Sequence, residues 1–296
     1  MKHQLIDIEN CPICDSKKHS PFIQAVDHNV SNDKFNIVEC NDCNFRFTTP
    51  IPTEETIGEY YKSEDYISHS STKKGIINKL YHIIRERAIK QKEQLALKHS
   101  ENKSILDIGC GTGDFLGYCK NNGWETLGLE PDQSARELAL KNNNVEVKSL
   151  SNLYSLEENS FDVITMWHVL EHVYNLNKDI QQFKKLLKPN GTLIIAVPNC
   201  SSKDAKKYKE HWAAYDLPIH LYHFQPKNMK ELFNKIDMEV VDVLPMLFDS
   251  YYISMVSEKY KNGNIISGFW NGFLSNLNAN KTNNEYSSQI YIIKNK

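Results

Sequence analysis

The chain has 296 residues, 40% of them hydrophobic, enough for one large domain with an appendage or two modest domains. Its 35 basic and 37 acidic residues leave a net charge of −2, which argues against a nucleic-acid partner held by bulk electrostatics. No apolar run approaches the roughly 18 residues that span a bilayer, and MKHQLIDIENCPIC lacks the apolar stretch of a signal peptide, so a cytoplasmic location with reduced cysteines is expected.

The first pattern in chain order is a pair of CxxC motifs, CPIC and CNDC, which hold Cys11, Cys14, Cys40 and Cys43. Each motif can fold into a tight knuckle that turns two thiolates toward one ion. Two knuckles complete the closed tetrahedral sulfur site that zinc takes in structural modules. A redox role needs one attackable pair rather than two matched ones. Four thiolates leave no open position for a substrate, so the zinc is assigned to folding. KFNIVEC reads as a strand running into the second knuckle. Cys110, Cys119 and Cys200 are scattered and read as small packing residues.

Residues 1–50 are thus expected to form a zinc-binding module, and 51–100 a helical linker. TTPIPTEETIGEYY reads as a turn and a short helix. Further on, Ile76, Ile77, Leu80, Tyr81, Ile83 and Ile84 stand at helical spacing among charged residues, the pattern of an amphipathic helix lying on the main domain. That domain is expected to fill 101–296, with an insertion at about 250–285.

SILDIGCGTGD, Ser104–Asp114, is an apolar strand followed by a glycine turn, and the next residues have helical spacing. Strand, glycine turn and helix is the nucleotide-binding opening of a doubly wound fold. A glycine turn alone is a weak signal, because dinucleotide-binding proteins share it. Here the spacing is G-x-G-x-G over Gly109, Gly111 and Gly113, not G-x-G-x-x-G. Asp107 precedes the turn, where an acid suits a cationic ligand and repels a pyrophosphate. Glu130 ends the next strand, placed to accept hydrogen bonds from ribose hydroxyls, a feature that dinucleotide enzymes share.

LDIGCGTGDF, GLEPD, FDVITMWHVLEHV, LLKPNGTLIIAVPN and PIHLYHF occur in that order. Together they resemble the class I S-adenosylmethionine-dependent methyltransferases, and within them a subgroup with an N-terminal CPxC zinc module. The resemblance runs from Cys11 to about Val243. It implies an α/β Rossmann-like fold, with a seven-stranded sheet whose last strand is antiparallel. It implies that Asp107, Gly109, Gly111 and Gly113 line the methionine end of the cofactor and that Glu130 binds the ribose. The family often places an acid after the third strand for the adenine amine. Leu150 and Ser151 stand there instead, so backbone contacts are expected to serve.

The remaining strands follow the alternating pattern. SFDVITMW is strand four, TLIIAVP strand five, MEVVDVL strand six and QIYIIK strand seven; Lys178–Leu187 reads as a helix ended by Pro189, Asn190 and Gly191. The aromatics of the insertion, including Tyr252, Phe269, Trp270 and Phe273, are expected to form its own small core, with an acceptor-pocket wall as the alternative.

Methyl transfer needs positioning above all, and an alcohol acceptor also benefits from a base. His168, Glu171 and His172 lie just past strand four, and His220 and His223 after strand five, at two edges of the expected crevice. His220 is the candidate base, with Asp216 nearby to orient its ring; His168 is expected to touch the cofactor edge and is the second candidate. HVLEH also matches an H-x-x-E-H protease motif, but it follows a strand and fits the methyltransferase order, so a protease is rejected. By default Glu171 and His172 stabilise the turn; a divalent ion on them is the alternative. The expected acceptor is a small molecule, either a sugar or sugar nucleotide or a phenolic or quinone-like hydroxyl. The competing reading is a macromolecule recruited by the zinc module. Residues 11–43 carry only Lys17, Lys18 and Lys34 as firm cations against five acids, which is no basic patch.

Overall fold

Two short knuckles and five strands organise the N-terminal part. The structure, a computed structural model, describes residues 4–61, 76–281 and 284–296. Strand β1 (Leu5–Ile6) will pair with β5; β2 (His19–Val26), β3 (Lys34–Cys40) and β4 (Arg46–Thr48) form an antiparallel sheet, and β5 (Ile51–Pro52) closes onto β1. The knuckles repeat one geometry. Cys11 N–H donates to Ser16 O and Asp15 N–H to Cys11 O; Cys40 N–H donates to Phe45 O and Asn44 N–H to Cys40 O. Asp15 and Asn44 both take the left-handed conformation, φ 61° and 60°, which such short polar residues tolerate. The result brings Sγ of Cys11 to 3.5 Å from that of Cys43, and Sγ of Cys14 to 3.4 Å from that of Cys40.

The main sheet follows from the alternating pattern after residue 100. Helix α1 (Ile76–Leu97) leads into β6 (Ser104–Ile108), α2 (Asp114–Asn121), β7 (Glu125–Leu129), α3 (Gln133–Asn143) and β8 (Val147–Lys148). Then come β9 (Phe161–Trp167), α4 (Leu176–Leu186), β10 (Leu187–Pro198), α5 (Lys203–Tyr208), β11 (Tyr222–His223), α6 (Pro226–Asn234), β12 (Met238–Pro245), α7 (Asp249–Tyr260), α8 (Ile265–Lys281) and β13 (Ser288–Asn295). The seven-stranded sheet has the order β12-β13-β10-β9-β6-β7-β8, with β13 antiparallel to both neighbours and the other six strands running in one direction. β6 is buried along its whole length, and β9 nearly so, as central strands covered on both faces must be. α4 buries Leu176, Ile180, Phe183 and Leu186, one stripe at helical spacing. Where a turn was expected, Pro189–Gly191 instead form an irregularity inside β10, between its Leu187 and Thr192 pairings with β9. α1 is helical where expected, but the side chains of Ile76 to Ile84 lie outside the described ones.

The first 50 residues do not stand apart. β11, from the far end of the chain, pairs antiparallel with β4 and completes a sheet of order β11-β4-β3-β2. Cys11, Ile13, Phe45 and Phe47 share one apolar core with Leu106, Met166 and Phe224.

At the opposite end of the sheet, Asp162 pins the strand starts. Its carboxylate accepts hydrogen bonds from Lys188 Nζ at 2.9 Å, Ser100 Oγ at 3.0 Å and the Asn102 N–H at 2.6 Å. Burial works against its charge, and these donors outweigh it, holding the carboxyl at about 2 instead of 3.8. Because the folded value is depressed, this stabilisation is present above the ordinary value and is lost as the pH falls through the folded one. Asp162→Ala is expected to cost about 3 kcal/mol in urea unfolding at neutral pH. The gap to wild type should narrow as the pH drops from about 4 toward 2, and an unchanged gap would contradict this account.

Candidate active site

The glycine turn leaves β6 with Gly109, Gly111 and Gly113 at φ 69°, 53° and 73°, all left-handed. The outer two are needed for packing. A Cβ on Gly109 would stand 2.5 Å from a Val169 methyl, and one on Gly113 2.7 Å from Val145 and 2.9 Å from Ala139. At Gly111 a Cβ would meet nothing within 4 Å, so the turn is open there. Glu130, at the end of β7, closes the other side of this opening. Its carboxylate accepts the Gly111 N–H at 2.9 Å and the Asp132 N–H at 3.0 Å, and the Arg136 guanidinium holds its carbonyl at 2.7 Å. Leu150 and Ser151 begin the short helical turn after β8, the next strand outward. Asp107, the three glycines, Glu130, Leu150 and Ser151 therefore line neighbouring strand ends in the order expected.

Asp107 is buried and accepts a hydrogen bond from the Thr165 hydroxyl at 2.6 Å. Burial pushes its carboxyl up to about 7, against the pull of that bond and of Lys92. Lys92 comes from α1, and burial lowers its ammonium. The ammonium lies 4.3 Å from the centre of the Trp167 ring, a cation–π contact. Phe115 meets the same ring edge-on at 5.8 Å. The Trp167 indole N–H is buried without a partner among the described residues, at the end of β9 where a ligand would lie. Sequence reasoning missed Lys92 and Trp167. Lys92 is one charge among many on an amphipathic helix, and Trp167 read only as the end of a strand.

Past β9 the chain turns sharply. His168 takes the left-handed conformation, φ 59°, a strained choice for a side chain with a Cβ. Its Nε2 lies 3.0 Å from Asp249 Oδ2 and its Nδ1 3.4 Å from Glu171 Oε1. Burial opposes a charge on the ring, but the two carboxylates outweigh it and raise the imidazole to about 10. Val169 covers Gly109 and joins this turn to the glycine turn. Glu171 is fully buried, and neither carboxylate oxygen finds a hydrogen-bond partner among the described residues. Glu171, expected to stabilise the turn, meets the His168 ring of that turn and not its backbone. Burial works against its charge, and His168 outweighs burial to keep it below the ordinary value.

His172 and His220 meet edge to face, ring centres 4.6 Å apart. Nδ1 of His172 lies 2.9 Å from Ile219 O and 3.0 Å from the Tyr61 hydroxyl; Nδ1 of His220 lies 2.9 Å from Ala214 O. A carbonyl accepts only, so each Nδ1 carries the proton and each Nε2 keeps its lone pair. Burial lowers both rings, His172 to about 4 with His220 adding to the effect. Asp216, expected to orient His220, lies 4.0 Å from Nε2, too far for a hydrogen bond; the Ala214 carbonyl does that work. His223 turns away, with Nε2 at 3.0 Å from the Thr48 hydroxyl.

Backbone bonds fix this cluster from both sides. Thr48 of the N-terminal sheet donates its N–H to Leu221 O at 2.9 Å and its hydroxyl to His220 O at 2.8 Å. The Leu221 N–H donates to Glu171 O at 2.8 Å. One ligand atom each from Glu171, His172 and His220 lies within 4.8 Å of the others, a set able to hold a divalent ion or to move a proton.

The profile of the methyltransferase domain family matches residues 80–243. A ubiquinone biosynthesis O-methyltransferase of Rickettsia akari is 26% identical over 57% of this chain and 77% of its own length. One from Bartonella tribocorum is 24% identical over 53% of this chain and 69% of its own. Among solved structures, a SAM-dependent methyltransferase from Archaeoglobus fulgidus covers 72% of this chain and 94% of its own at a TM-score of 0.50 and 20% identity, a likeness of fold. The matched family residues span more than half of the chain and contain the glycine turn, Glu130 and the histidine turn after β9, so this chain belongs to the methyltransferase domain family and is a class I S-adenosylmethionine-dependent methyltransferase.

Proposed function

We propose that the enzyme methylates a hydroxyl oxygen of a small ring-bearing acceptor, phenolic or quinone-like, with His220 as the base. The observation that carries this reading is a buried neutral imidazole, its Nε2 lone pair free and its Nδ1 proton fixed on Ala214 O, beside the Glu171 carboxylate. The names of the relatives support a hydroxyl acceptor of this class over a sugar.

The opening at Gly111 and the orphaned Trp167 N–H fit a bound cofactor. S-adenosylmethionine supplies an activated methyl group. Asp107, Gly109, Gly111 and Gly113 receive its methionine end, Glu130 its ribose hydroxyls, and the backbone at Leu150 and Ser151 its adenine. A cationic ligand near Asp107 favours the ionised carboxylate, so binding is expected to release a proton. His168, held as a cation between Asp249 and Glu171, borders the cofactor and leaves proton removal to His220. His220 takes the acceptor proton on Nε2, and Glu171 stabilises the imidazolium that results. A second reading has one supporting observation, a Glu171 carboxylate with no hydrogen-bond partner among the described residues: a divalent cation on Glu171, His172 and His220 would lower the acceptor's pKa directly.

The four N-terminal cysteines are proposed to hold one structural zinc. A tetrahedral sulfur site with Zn–S of about 2.3 Å sets sulfurs about 3.8 Å apart. The four Sγ atoms here lie within 4.8 Å of one another.

Three measurements follow. In calorimetry with S-adenosylhomocysteine, Gly111→Ala should lose at least about tenfold in affinity while melting within a few degrees of wild type, since only its φ is strained. Gly113→Ala should lower the melting temperature instead; equal effects at both sites would refute the cradle. His220→Ala should reduce turnover by roughly two to four orders of magnitude with cofactor affinity unchanged. Because burial lowers the His220 pKa, the wild-type rate should hold below the ordinary histidine value of 6.5 before falling with further acid. Activity lost on brief chelation and restored by Mn2+, with the cysteine-bound zinc retained, would transfer the role to the metal reading. Elemental analysis should find about one zinc per chain, and Cys40→Ser should lower the melting temperature by several degrees or more. Metal loss with unchanged melting would end the structural assignment.

A further inference from the structure

The α7–α8 hairpin, beyond the residues matched by the family, is built inside out. Its helices meet through small and polar side chains. Ser250 and Ser254 are buried on α7, and Gly268, Gly272 and Ser275 on α8. A Cβ on Gly268 would stand 2.6 Å from Met255 Cα, and one on Gly272 2.7 Å from Ser250 O, so the two backbones touch. The inward polar groups are bonded. Asn271 Nδ2 donates to the Tyr208 hydroxyl at 2.8 Å and to Glu258 Oε1 at 3.1 Å, and the Ser275 hydroxyl donates to Asp204 at 2.7 Å.

The large apolar side chains turn the other way. Ile265, Ile266, Phe269, Trp270, Phe273 and Leu274 are between 37% and 66% exposed. Their spacing covers about half the circumference of α8, a contiguous face. This corrects the expectation that the insertion's aromatics make its own core. A helix lying on a protein in water carries its apolar stripe inward, so this hairpin is ordered for a different surrounding. Its charges agree. The exposed charged residues of the hairpin are Lys259, Lys261 and Lys281, of which Lys261 also lies 4.0 Å from the buried Glu258 carboxylate. Its two acids are withdrawn: Glu258 is 3% exposed and bonded to Tyr208, and Asp249 is paired with His168.

We propose that the hairpin docks on a membrane surface, laying the outer face of α8 in the interfacial layer of an anionic bilayer with the lysines at the headgroups. Among the described residues no helix is long and apolar enough to cross a membrane, so α8 lies in the plane. A twofold pairing with a second copy would set the same basic rim against itself. Asp249, the first residue of α7, bonds His168, so docking holds the histidine side of the active site near the bilayer. The inference goes beyond the methyl-transfer reading and stands without it.

The test is co-sedimentation of the full chain with vesicles of phosphatidylglycerol and phosphatidylethanolamine, and separately of phosphatidylcholine. Strong pelleting with the anionic vesicles and weaker pelleting with the neutral ones are expected, with a blue shift in tryptophan fluorescence that Trp270→Phe removes. A triple variant, Phe269→Ser with Trp270→Ser and Phe273→Ser, should lose at least about tenfold in vesicle affinity while keeping its melting temperature and S-adenosylhomocysteine binding. Wild-type protein that stays in the supernatant, or a triple variant that pellets as well as wild type, overturns the proposal. So does a wild-type dimer in light scattering that the triple variant converts to monomer, which would give the face to a second copy.

Discussion

The contact on which the site depends is the double hydrogen bond from Thr48 to the segment that carries His220. Its N–H and hydroxyl hold the Leu221 and His220 carbonyls, while the Leu221 N–H reaches across to Glu171. A loop that would otherwise be free at a sheet end is thereby caught between two rigid bodies. One is the four-stranded N-terminal sheet; the other is the tight turn after β9. The ring of His220 can then be oriented by a single carbonyl, that of Ala214, because its backbone has little freedom left.

The same clamp explains how a buried carboxylate survives without a hydrogen bond. Glu171 has no hydrogen-bond partner among the described residues and only the His168 ring, 3.4 Å away, as an ion pair, a costly arrangement for a buried charge. It persists because the clamp and the strained backbone of His168 surround it with imidazoles. These histidines are not equivalent. His168 sits between two carboxylates and is held as a cation, whereas burial pushes His172 and His220 toward neutrality, with His220 adding to the effect on His172 and His168 to that on His220. One cluster thus offers both a fixed positive charge and a proton acceptor, the pairing that acid–base chemistry uses.

Much of this was legible in the amino-acid order. The knuckles, the glycine turn and the central strands depend on local rules: CxxC spacing, positive φ, apolar runs. What escaped depends on distant contacts. β11 is two residues long and carries no period, so its place beside β4 could not be read. Lys92 and Asp249 enter the site from helices far off in sequence, and Asp216 was credited with a task that a backbone carbonyl performs. The hairpin misled for a different reason. Apolar spacing tells which residues share a face; it does not tell which way the face looks, and the glycines and serines on the opposite side were the sign that close backbone packing had claimed the inward direction.

The sheet completed by β11 has a consequence for how this enzyme can diversify. A strand contributed by the catalytic part to the appendage makes the two inseparable as inherited units. Neither can be traded between genes without leaving an open edge on the other. Thr48 holds the His220 backbone directly, whereas the outer glycines of the turn pack on Val169, Val145 and Ala139. On the proposed assignment of His220 to the acceptor side, selection has a route to new acceptors through contacts separate from those of the glycine turn.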